Sequence, residues 1–194
     1  MVRDLRRLLI APERLDPAGV LPLQPPEVHY LARVLRLRRG DRFAVVDGCG
    51  HLWSAELQEP DRARLEQPVA APLEQAACPT PQLELLLAWP KRDGELLLRM
   101  ACELGIDRFR LVAAERGQVG PPRAERLGTI LREATEQCER LWLPQLDGPL
   151  PPAQAFAPLG DPEMGLLATT RRPGLRPLPE LDRKSTRLNS SHRT

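Results

Sequence analysis

The sequence predicts an α/β protein with a small β-barrel in front of its α/β domain. Three observations indicate this fold class: short alternating segments around a hairpin signal in residues 1–73, a proline-rich segment at 74–82, and a strand–helix–strand pattern in residues 83–116. Apolar residues recur every two positions in a half-buried strand and about every 3.6 positions in a helix. A sequence that changes from one spacing to the other and back is typical of α/β architecture. We therefore expect a β-rich domain at 1–73, a linker at 74–82 and an α/β domain at 83–181.

The predicted barrel consists of short strands and one helix. The helix begins at Pro25 or Pro26, because proline is favoured in a first helical turn, and it ends before Gly40. Asp47-Gly48-Cys49-Gly50 separates two strand-like runs and is a strong hairpin signal. The expected elements are a strand at 2–10, the helix through Val34, strands at 43–46 and 52–57, and one more strand within 64–69.

The α/β domain opens with a predicted βαβ unit. Nearly continuous apolar runs at 83–88 and 109–113 predict two buried strands, and the crossover rule places them in one parallel sheet. Between them we expect a helix with Asp93 as its N-cap and Gly105 as its C-terminal cap. The predicted apolar face of this helix consists of Leu97, Met100, Ala101 and Leu104, with Glu95, Arg99 and Glu103 on the opposite face.

A long amphipathic helix is predicted over residues 123–141. Its apolar positions recur at helical spacing, at Leu127, Ile130, Leu131, Ala134, Cys138 and Leu141. The other face carries Arg132, Glu133, Glu136, Gln137 and Arg140. One interpretation is an ordinary exposed face, with ion pairs such as Glu136 with Arg132 and Arg140. Beyond it we expect a strand at 143–146, a helical turn at 153–157 and a buried strand at 165–170.

Composition and motifs exclude several functional classes. No segment approaches about 18 consecutive apolar residues, and residues 1–10 alternate in charge, so we expect a cytoplasmic protein without a membrane span or signal peptide. The four cysteines are far apart and no histidine stands at ligand spacing, so we expect ordinary thiols and no metal site. The sequence has neither a dinucleotide-binding glycine motif nor the residues for a Ser/His/Asp triad.

Arginines are concentrated in the first part of the chain. Residues 1–45 contain nine arginines against five acidic residues, which gives a net charge of +4. Arg33, Arg36, Arg38 and Arg39 follow the end of the predicted helix and are candidates for phosphate contacts with RNA. A solvated helix end whose cations complement the helix dipole is the alternative. For His29 and Tyr30 we favour a surface histidine and a packing tyrosine over a base-stacking pair.

The last residues differ in character from the rest. Residues 182–192 form a polar run without apolar period and match the in-frame translation of a common sequencing adapter. We therefore expect residues 182–194 to be a non-native tail and the natural sequence to end near Leu181. The tail carries Arg183, Lys184, Arg187 and Arg193 against Asp182, so the formal net charge changes from +2 for the chain to −1 for residues 1–181.

Three blocks of the sequence resemble the bacterial 16S ribosomal RNA uracil-N3 methyltransferase family, called RsmE. The first is Arg33-Val34-Leu35-Arg36 followed by Gly40-Asp41 and Asp47-Gly48. The second is the βαβ unit with Cys102-Glu103-Leu104-Gly105-Ile106 and Ala114-Glu115-Arg116. The third, at 133–144, is similar to the family segment Ala-x-Glu-Gln-x-x-Arg-x-x-x-Pro. The blocks stand in the family's order and cover most of residues 1–144.

The resemblance implies both a fold and an activity. It implies an N-terminal PUA-like RNA-binding barrel, a SPOUT-type knot domain, and S-adenosylmethionine-dependent methylation of N3 of a uridine in 16S ribosomal RNA of the 30S subunit during ribosome biogenesis. The complete protein is expected to be a homodimer. The residues implied to line the RNA-facing cleft are Lys91, Arg92, Glu115, Arg116, Gln137 and Arg140, with Glu136 beside them. The polar face of the helix predicted over residues 123–141 could therefore either contact RNA or be an ordinary exposed face.

The family's cofactor motifs do not occur in this sequence. A Gly-Pro-Glu-Gly-Gly loop and the later leucine-rich segment would follow Thr170, and neither is present. We therefore expect an incomplete knot domain with no cofactor-binding residues, an unknown catalytic residue, no methyl transfer by this chain, and association through an open sheet edge. The alternative function is a non-catalytic RNA-binding module whose second domain only pairs subunits.

Overall fold

The computed structural model describes residues 5–114 and 120–157. The predicted strand at 165–170, the tail at 182–194, and the candidate site residues Glu115 and Arg116 lie outside this part of the chain. The described residues up to Ala155 belong to one compact unit, which includes the predicted barrel and the first part of the predicted α/β domain. Within the described residues, no helix has the length and apolar content that a membrane crossing requires.

A six-stranded sheet forms the first part of the protein. Its strands are β1 (Arg7–Leu9), β2 (Val20–Pro22), β3 (Arg42–Val46), β4 (His51–Glu59), β5 (Arg62–Leu65) and β6 (Glu74–Gln75). The order is β1-β3-β4-β5-β2, and β6 pairs with β4. β1 is parallel to β3, whereas β3, β4 and β5 are antiparallel neighbours, so the hairpin predicted around Asp47 is confirmed.

The helix of this first part begins where the prolines predicted it. α1 (Pro25–His29) has Pro25 in its first turn, and Gln24 and Glu27 form a capping box. The chain then continues as a π-helical turn, Tyr30–Val34, and Arg36 takes a left-handed conformation with φ of 59°. The barrel core below this helix contains Leu8, Ile10, Leu21, Leu23, Leu31, Phe43, Val45, Trp53, Ala55, Leu57, Ala63 and Leu65.

The second part is a parallel three-stranded sheet with helices. Its elements are β7 (Glu84–Ala88), α2 (Gly94–Glu103), β8 (Arg108–Val112), α3 (Ala124–Gln137), β9 (Gln145–Leu150) and α4 (Pro152–Phe156). The strand order is β7-β8-β9, and both strand pairs are parallel. The βαβ unit predicted from residues 83–113 is therefore confirmed. Its core contains Leu98, Cys102, Phe109, Leu111, Leu127, Ile130, Leu131 and Ala134.

The buried face of α2 differs from the prediction. Leu98 and Cys102 are fully buried, while Met100 and Leu104 are exposed. Leucines occupy three consecutive positions in this helix, so the apolar period alone could not identify the face that packs on the sheet. The predicted N-cap residue, Asp93, has a left-handed φ of 58° and makes no side-chain hydrogen bond to the helix.

Other element bounds also differ from the predictions. The predicted linker contains β6, which is only two residues long and exposed, and therefore has no apolar alternation to predict it. α3 ends four residues before the predicted limit, and the last strand is Gln145–Leu150 instead of residues 143–146. The predicted helical turn at 153–157 is confirmed as α4.

The hairpin between β3 and β4 packs against the segment that follows α3. The N–H of Gly50 donates to the carbonyl of Leu141 at 2.9 Å, and the N–H of Leu143 donates to the carbonyl of Gly48 at 2.9 Å. A third core cluster, with Leu9, Ala44, Val46, Leu52 and Leu141, fills this junction. The two sheets therefore share buried apolar surface within the compact unit.

Candidate nucleic-acid interface

The four arginines predicted to contact RNA lie on the barrel around the end of its helix. Arg33, Arg36, Arg38 and Arg39 are all exposed. None of them forms an ion pair with another residue of the described part of the chain. The side chain of Asp41 instead accepts a hydrogen bond from the backbone N–H of Arg38 at 2.7 Å, which fixes the loop. The guanidinium groups thus keep their donors for an external anion.

Two hollows flank the π-helical turn, and three of these arginines line them. The larger hollow, about 710 Å³, is open and is lined by Leu23, Pro25, Val28, His29, Ala32, Arg33 and Asp61. The smaller one, about 180 Å³, is lined by Leu31, Ala32, Leu37, Arg38, Arg39, Leu57 and Pro60. Ala32 borders both, so a single turn of helix separates them. π-helical turns are frequent at functional sites.

The sequence did not predict Asp61 as part of this surface. Asp61 stands in the turn between β4 and β5, and its carbonyl accepts a hydrogen bond from the N–H of Leu23 at 2.8 Å. The turn lies beside α1 because of the strand order in the sheet. β5, which follows the turn, pairs with β2, which precedes α1. No local pattern around Asp61 indicates that proximity. His29 lines the larger hollow, and Tyr30 packs against the barrel core, as we favoured.

The residues predicted to line one cleft lie at two opposite edges of the parallel sheet. Lys91 and Arg92 are exposed in the loop after β7, at the edge where the strands have their carboxyl ends. This is the edge at which ligands bind in open α/β sheets. Gln137 ends α3, and Arg140 follows it and precedes β9, so both lie at the amino edge. A helix of ten residues, about 15 Å long, separates the two edges.

The side chain of Arg140 is used inside the protein. Its Nη1 donates to the carbonyls of Cys102 and Ile106, both at 2.8 Å, and its Nη2 pairs with Asp107 Oδ1 at 2.6 Å. The guanidinium therefore caps the last turn of α2, whose carbonyls have no partner within the helix. This placement differs from the predicted contact with RNA and from the predicted pair with Glu136.

Glu136 also makes a contact within the protein. Its carboxylate accepts a hydrogen bond from the backbone N–H of Leu9 in β1 at 2.7 Å. Burial raises the pKa of this carboxyl to about 7, against the opposing effects of the Leu9 N–H and Arg132. In the following turn, Arg7 donates to the backbone carbonyl of Glu139 and pairs with its carboxylate. The end of α3 is thus a junction with the barrel.

The two hollows lie apart from the parallel sheet. Both are on the barrel, and neither is lined by a residue of β7, β8 or β9. No group of three or more His, Cys, Asp or Glu side chains in the described ranges is arranged to hold a metal ion. The exposed arginines beside the hollows could bind an anion.

Two family profiles match the chain. The profile of the RNA methyltransferase PUA domain matches residues 23–66, which include α1, β3 and β4. The profile of the RNA methyltransferase domain matches residues 77–188. The match to a PUA domain agrees with the predicted PUA-like barrel. The second match agrees with the predicted methyltransferase fold of the α/β part.

Curated relatives share one description. Ribosomal RNA small subunit methyltransferase E of Synechocystis sp. is 40% identical over 171 residues, which are 85% of this chain and 55% of the relative. The protein of the same description from Mycobacterium bovis is 28% identical over 144 residues, which are 70% of this chain and 54% of the relative. The chain thus spans about half the length of the curated relatives it matches.

Solved structures show the same fold. A crystal structure of ribosomal RNA small subunit methyltransferase E from Neisseria gonorrhoeae, bound to S-adenosyl methionine, is 24% identical with a TM-score of 0.61, covering 78% of this chain and 64% of its own. A crystal structure described as that of a predicted RNA methyltransferase from Thermotoga maritima has 25% identity and a TM-score of 0.58, covering 66% of this chain and 60% of its own. The predicted fold class, a PUA-like barrel with an α/β methyltransferase domain, is confirmed. The profile that matches residues 77–188 covers more than half of this chain, so the chain belongs to the RNA methyltransferase family that includes its 40% identical relative, ribosomal RNA small subunit methyltransferase E.

Proposed function

We propose that this protein takes part in S-adenosylmethionine-dependent methylation of N3 of a uridine in 16S ribosomal RNA, in the cytoplasm during assembly of the small subunit. Within that reaction the described part of the chain supplies RNA binding. The observation that carries the proposal is the position of Arg33, Arg38 and Arg39 in two adjacent hollows of a barrel that matches a PUA domain.

The chemistry of the hollows suits single-stranded RNA. An arginine fork can donate two parallel hydrogen bonds to a phosphate, and no acidic side chain forms an ion pair with these three arginines in residues 5–114 and 120–157. The larger hollow adds an apolar floor from Leu23, Val28 and Ala32, against which an unstacked base can lie. Lys91 and Arg92, at the carboxyl edge of the sheet, form a second candidate contact with RNA. Gln137 is exposed at the amino edge and stays a weaker candidate.

S-adenosylmethionine would supply the methyl group, and the glycine-rich and leucine-rich segments with which the family holds it do not occur in this sequence. We therefore expect the purified chain to bind RNA without transferring a methyl group. What this chain's described residues do is hold and orient the RNA.

The test is binding of 16S ribosomal RNA by the purified chain over a series of salt concentrations. Replacing Arg33, Arg38 and Arg39 with alanine together is expected to weaken binding at least tenfold. It should also reduce the slope of log affinity against log salt by about 2, if each contacts a phosphate of a single strand. The matched control replaces Arg62 and Arg64, which are exposed on the same barrel but line neither hollow.

Two outcomes would contradict the proposal. Equal affinity of the triple variant and the control would show that the hollows do not bind RNA. N3-methyluridine formed from S-adenosylmethionine by the purified chain, detected by mass spectrometry of the digested RNA, would show that this chain holds a donor after all. RNA binding by a full-length relative without any methylation would instead favour a non-catalytic RNA-binding module.

We also propose that the protein pairs with a second copy of itself through α2. Leu96, Met100 and Leu104 stand four residues apart on one face of this helix, and 55%, 51% and 79% of their surfaces are exposed. Three large apolar side chains in one stripe form a surface that soluble monomers rarely leave open. A symmetric dimer would bring two such stripes together and bury both.

A further inference from the structure

Two of the four cysteines contact the same residue, Thr135, although they are 36 positions apart in the sequence. Cys102 stands in the last turn of α2 and Cys138 follows α3, and the packing of these helices brings both thiols to Thr135. The sulfur of Cys102 lies 3.7 Å from Thr135 Oγ1, and that of Cys138 lies 3.9 Å from the carbonyl oxygen of Thr135. The two thiols therefore meet at one residue, and each shifts the pKa of the other. Nothing in the sequence spacing indicates this pair.

The two thiols have different surroundings. Cys102 is fully buried, whereas Cys138 is partly exposed. The neighbouring thiol of Cys102, the backbone N–H of Arg140 and the positive guanidinium of Arg140 all favour the thiolate of Cys138, and they lower its pKa to about 6. The neighbouring Cys138 and burial raise the pKa of Cys102. One thiol is therefore accessible and ionised near neutral pH, and its partner is shielded from solvent.

We propose that Cys102 and Cys138 form a thiol–disulfide exchange site that small disulfides such as oxidised glutathione can oxidise. The Cys138 thiolate attacks one sulfur of the small disulfide, which breaks its S–S bond, releases one thiolate and leaves a mixed disulfide. Cys102 then attacks the Cys138 sulfur and gives its proton to the second thiolate, which this attack releases. The protein loses two electrons and two protons, and the small disulfide becomes two thiols.

The position of the pair gives oxidation a structural consequence. A bond between the end of α2 and the end of α3 would close a loop of about 36 residues, from 102 to 138, that contains β8 and all of α3. Such a loop restricts the unfolded chain and stabilises the folded one. The same region carries Arg140 and Glu136, which join α2 and the barrel to α3. In a reducing compartment the bond would form only transiently, as redox-sensing disulfides do.

The experiment treats the whole chain with oxidised glutathione, alkylates the remaining thiols and maps them by mass spectrometry. Cys49 and Cys78, both exposed, are first replaced with serine so that only the pair remains. We expect a peptide linked between positions 102 and 138, with two hydrogens lost, and a melting temperature raised by about 5 °C. In the Cys102→Ser variant the reaction should stop at a stable mixed disulfide of Cys138 with glutathione. In the Cys138→Ser variant Cys102 should stay reduced.

A second measurement needs no substitution in the pair. Phenylarsine oxide bridges two neighbouring thiols, so one equivalent should bind the reduced protein and protect both cysteines from alkylation. The proposal is overturned if the arsenical protects neither cysteine. It is equally overturned if folded Cys138→Ser protein, checked by circular dichroism, still acquires glutathione on Cys102, or if the linked peptide never forms.

Discussion

The carboxylate of Glu136 accepts a hydrogen bond from the backbone N–H of Leu9 across 2.7 Å, and this contact joins the end of α3 to β1 of the barrel. Arg132, Glu133 and Glu27 are the charged groups that act on this carboxyl. Burial dominates over all of them and raises the pKa of Glu136 from 4.5 to about 7. The junction therefore favours the protonated acid.

This raised pKa makes the stability of the protein depend on pH. The folded chain binds the proton of Glu136 more tightly than the unfolded chain does. The resulting stabilisation is present below pH 4.5 and is lost as the pH rises to about 7. Relative to Glu136→Gln, the native chain should lose on the order of 3 kcal/mol of unfolding free energy over this range. Urea denaturation of both proteins at pH 4.5, 6 and 8 measures the difference.

Gln137→Glu is the matched control, because it places a carboxyl on the exposed side of the same helical turn. This variant should keep the same stability difference from the native chain to within about 1 kcal/mol at all three pH values. A parallel pH dependence of Glu136→Gln and the native chain would show that the Glu136 carboxyl is not responsible.

Gly50, in the hairpin between β3 and β4, has no room for a methyl group, so its substitution should lower stability strongly. A Cβ at Gly50 would lie 2.5 Å from the carbonyl oxygen of Ala76 and 2.8 Å from Cζ2 of Trp142, at a φ of +99°. We expect Gly50→Ala to lower the unfolding free energy by more than about 2 kcal/mol, through both backbone strain and displacement of Trp142.

Gly40→Ala separates these two causes. Gly40 has a similar φ of +90°, yet nothing lies within 4 Å of a Cβ built there. Its substitution should cost only the backbone strain, about 1 kcal/mol. Guanidinium denaturation of the two variants gives both values. Equal losses would show that the contacts of Gly50 with Ala76 and Trp142 contribute nothing.

The buried guanidinium of Arg110 predicts a strong dependence on its partner. Arg110 is only 3% exposed, its Nη2 pairs with Glu84 Oε1 at 2.7 Å, and its Nη1 donates to the carbonyl of Ala155 at 2.7 Å. Glu84→Ala would leave a buried charge without its counter-ion, at a cost of about 3 kcal/mol. The exposed pair of Arg108 with Asp147, 4.0 Å apart, is the control, and Asp147→Ala should cost less than about 1 kcal/mol.

A double variant tests whether the charge is the cause. Replacing Arg110 with methionine and Glu84 with leucine removes both charges and keeps apolar volume, so most of the lost stability should return. Thermal melting followed by circular dichroism is sufficient for this comparison. A double variant no more stable than Glu84→Ala would show that packing, and not the unpaired charge, sets the loss.

Self-association through Leu96, Met100 and Leu104 of α2 predicts a dimer that is sensitive to charge on this face. Met100→Glu and Leu104→Glu each place a carboxylate where two such faces would meet, so each should weaken dimerisation at least tenfold. Glu13→Gln, at an exposed position on the barrel, should leave dimerisation unchanged. Sedimentation velocity over a range of concentrations measures the equilibrium. A native chain that sediments as a monomer at every concentration would contradict the proposed dimer.

The sequence predicted those strands and helices whose apolar residues form a recognisable pattern among near neighbours in the chain. The runs at 83–88 and 109–113 became β7 and β8. Only β8 is buried as predicted, because it lies between β7 and β9, whereas the leucines of β7 are only partly buried. Arg110 is the exception within the second run. Its guanidinium pairs with Glu84 and donates to the carbonyl of Ala155, both far away in the sequence, so no local pattern could indicate that an arginine belongs in the buried sheet.

The candidate site was predictable only in part. Arg33, Arg38 and Arg39 could be identified because charged residues at a helix end stay exposed. Arg140 could not be assigned from sequence, because its partners, Cys102, Ile106 and Asp107, come from the preceding βαβ unit. Sequence spacing shows which side of a helix a residue occupies, whereas tertiary packing decides what that side meets.

α3 contacts both the parallel sheet and the barrel, and this has a consequence for how the protein unfolds. Its apolar side chains Leu127, Ile130 and Leu131 belong to the core of the parallel sheet, while Glu136 in its last turn is bonded to the barrel strand β1. Neither part can melt without breaking contacts of this one helix, so their unfolding is cooperative. Scanning calorimetry should accordingly record a single heat-absorption peak for two sheets that do not exchange a single strand.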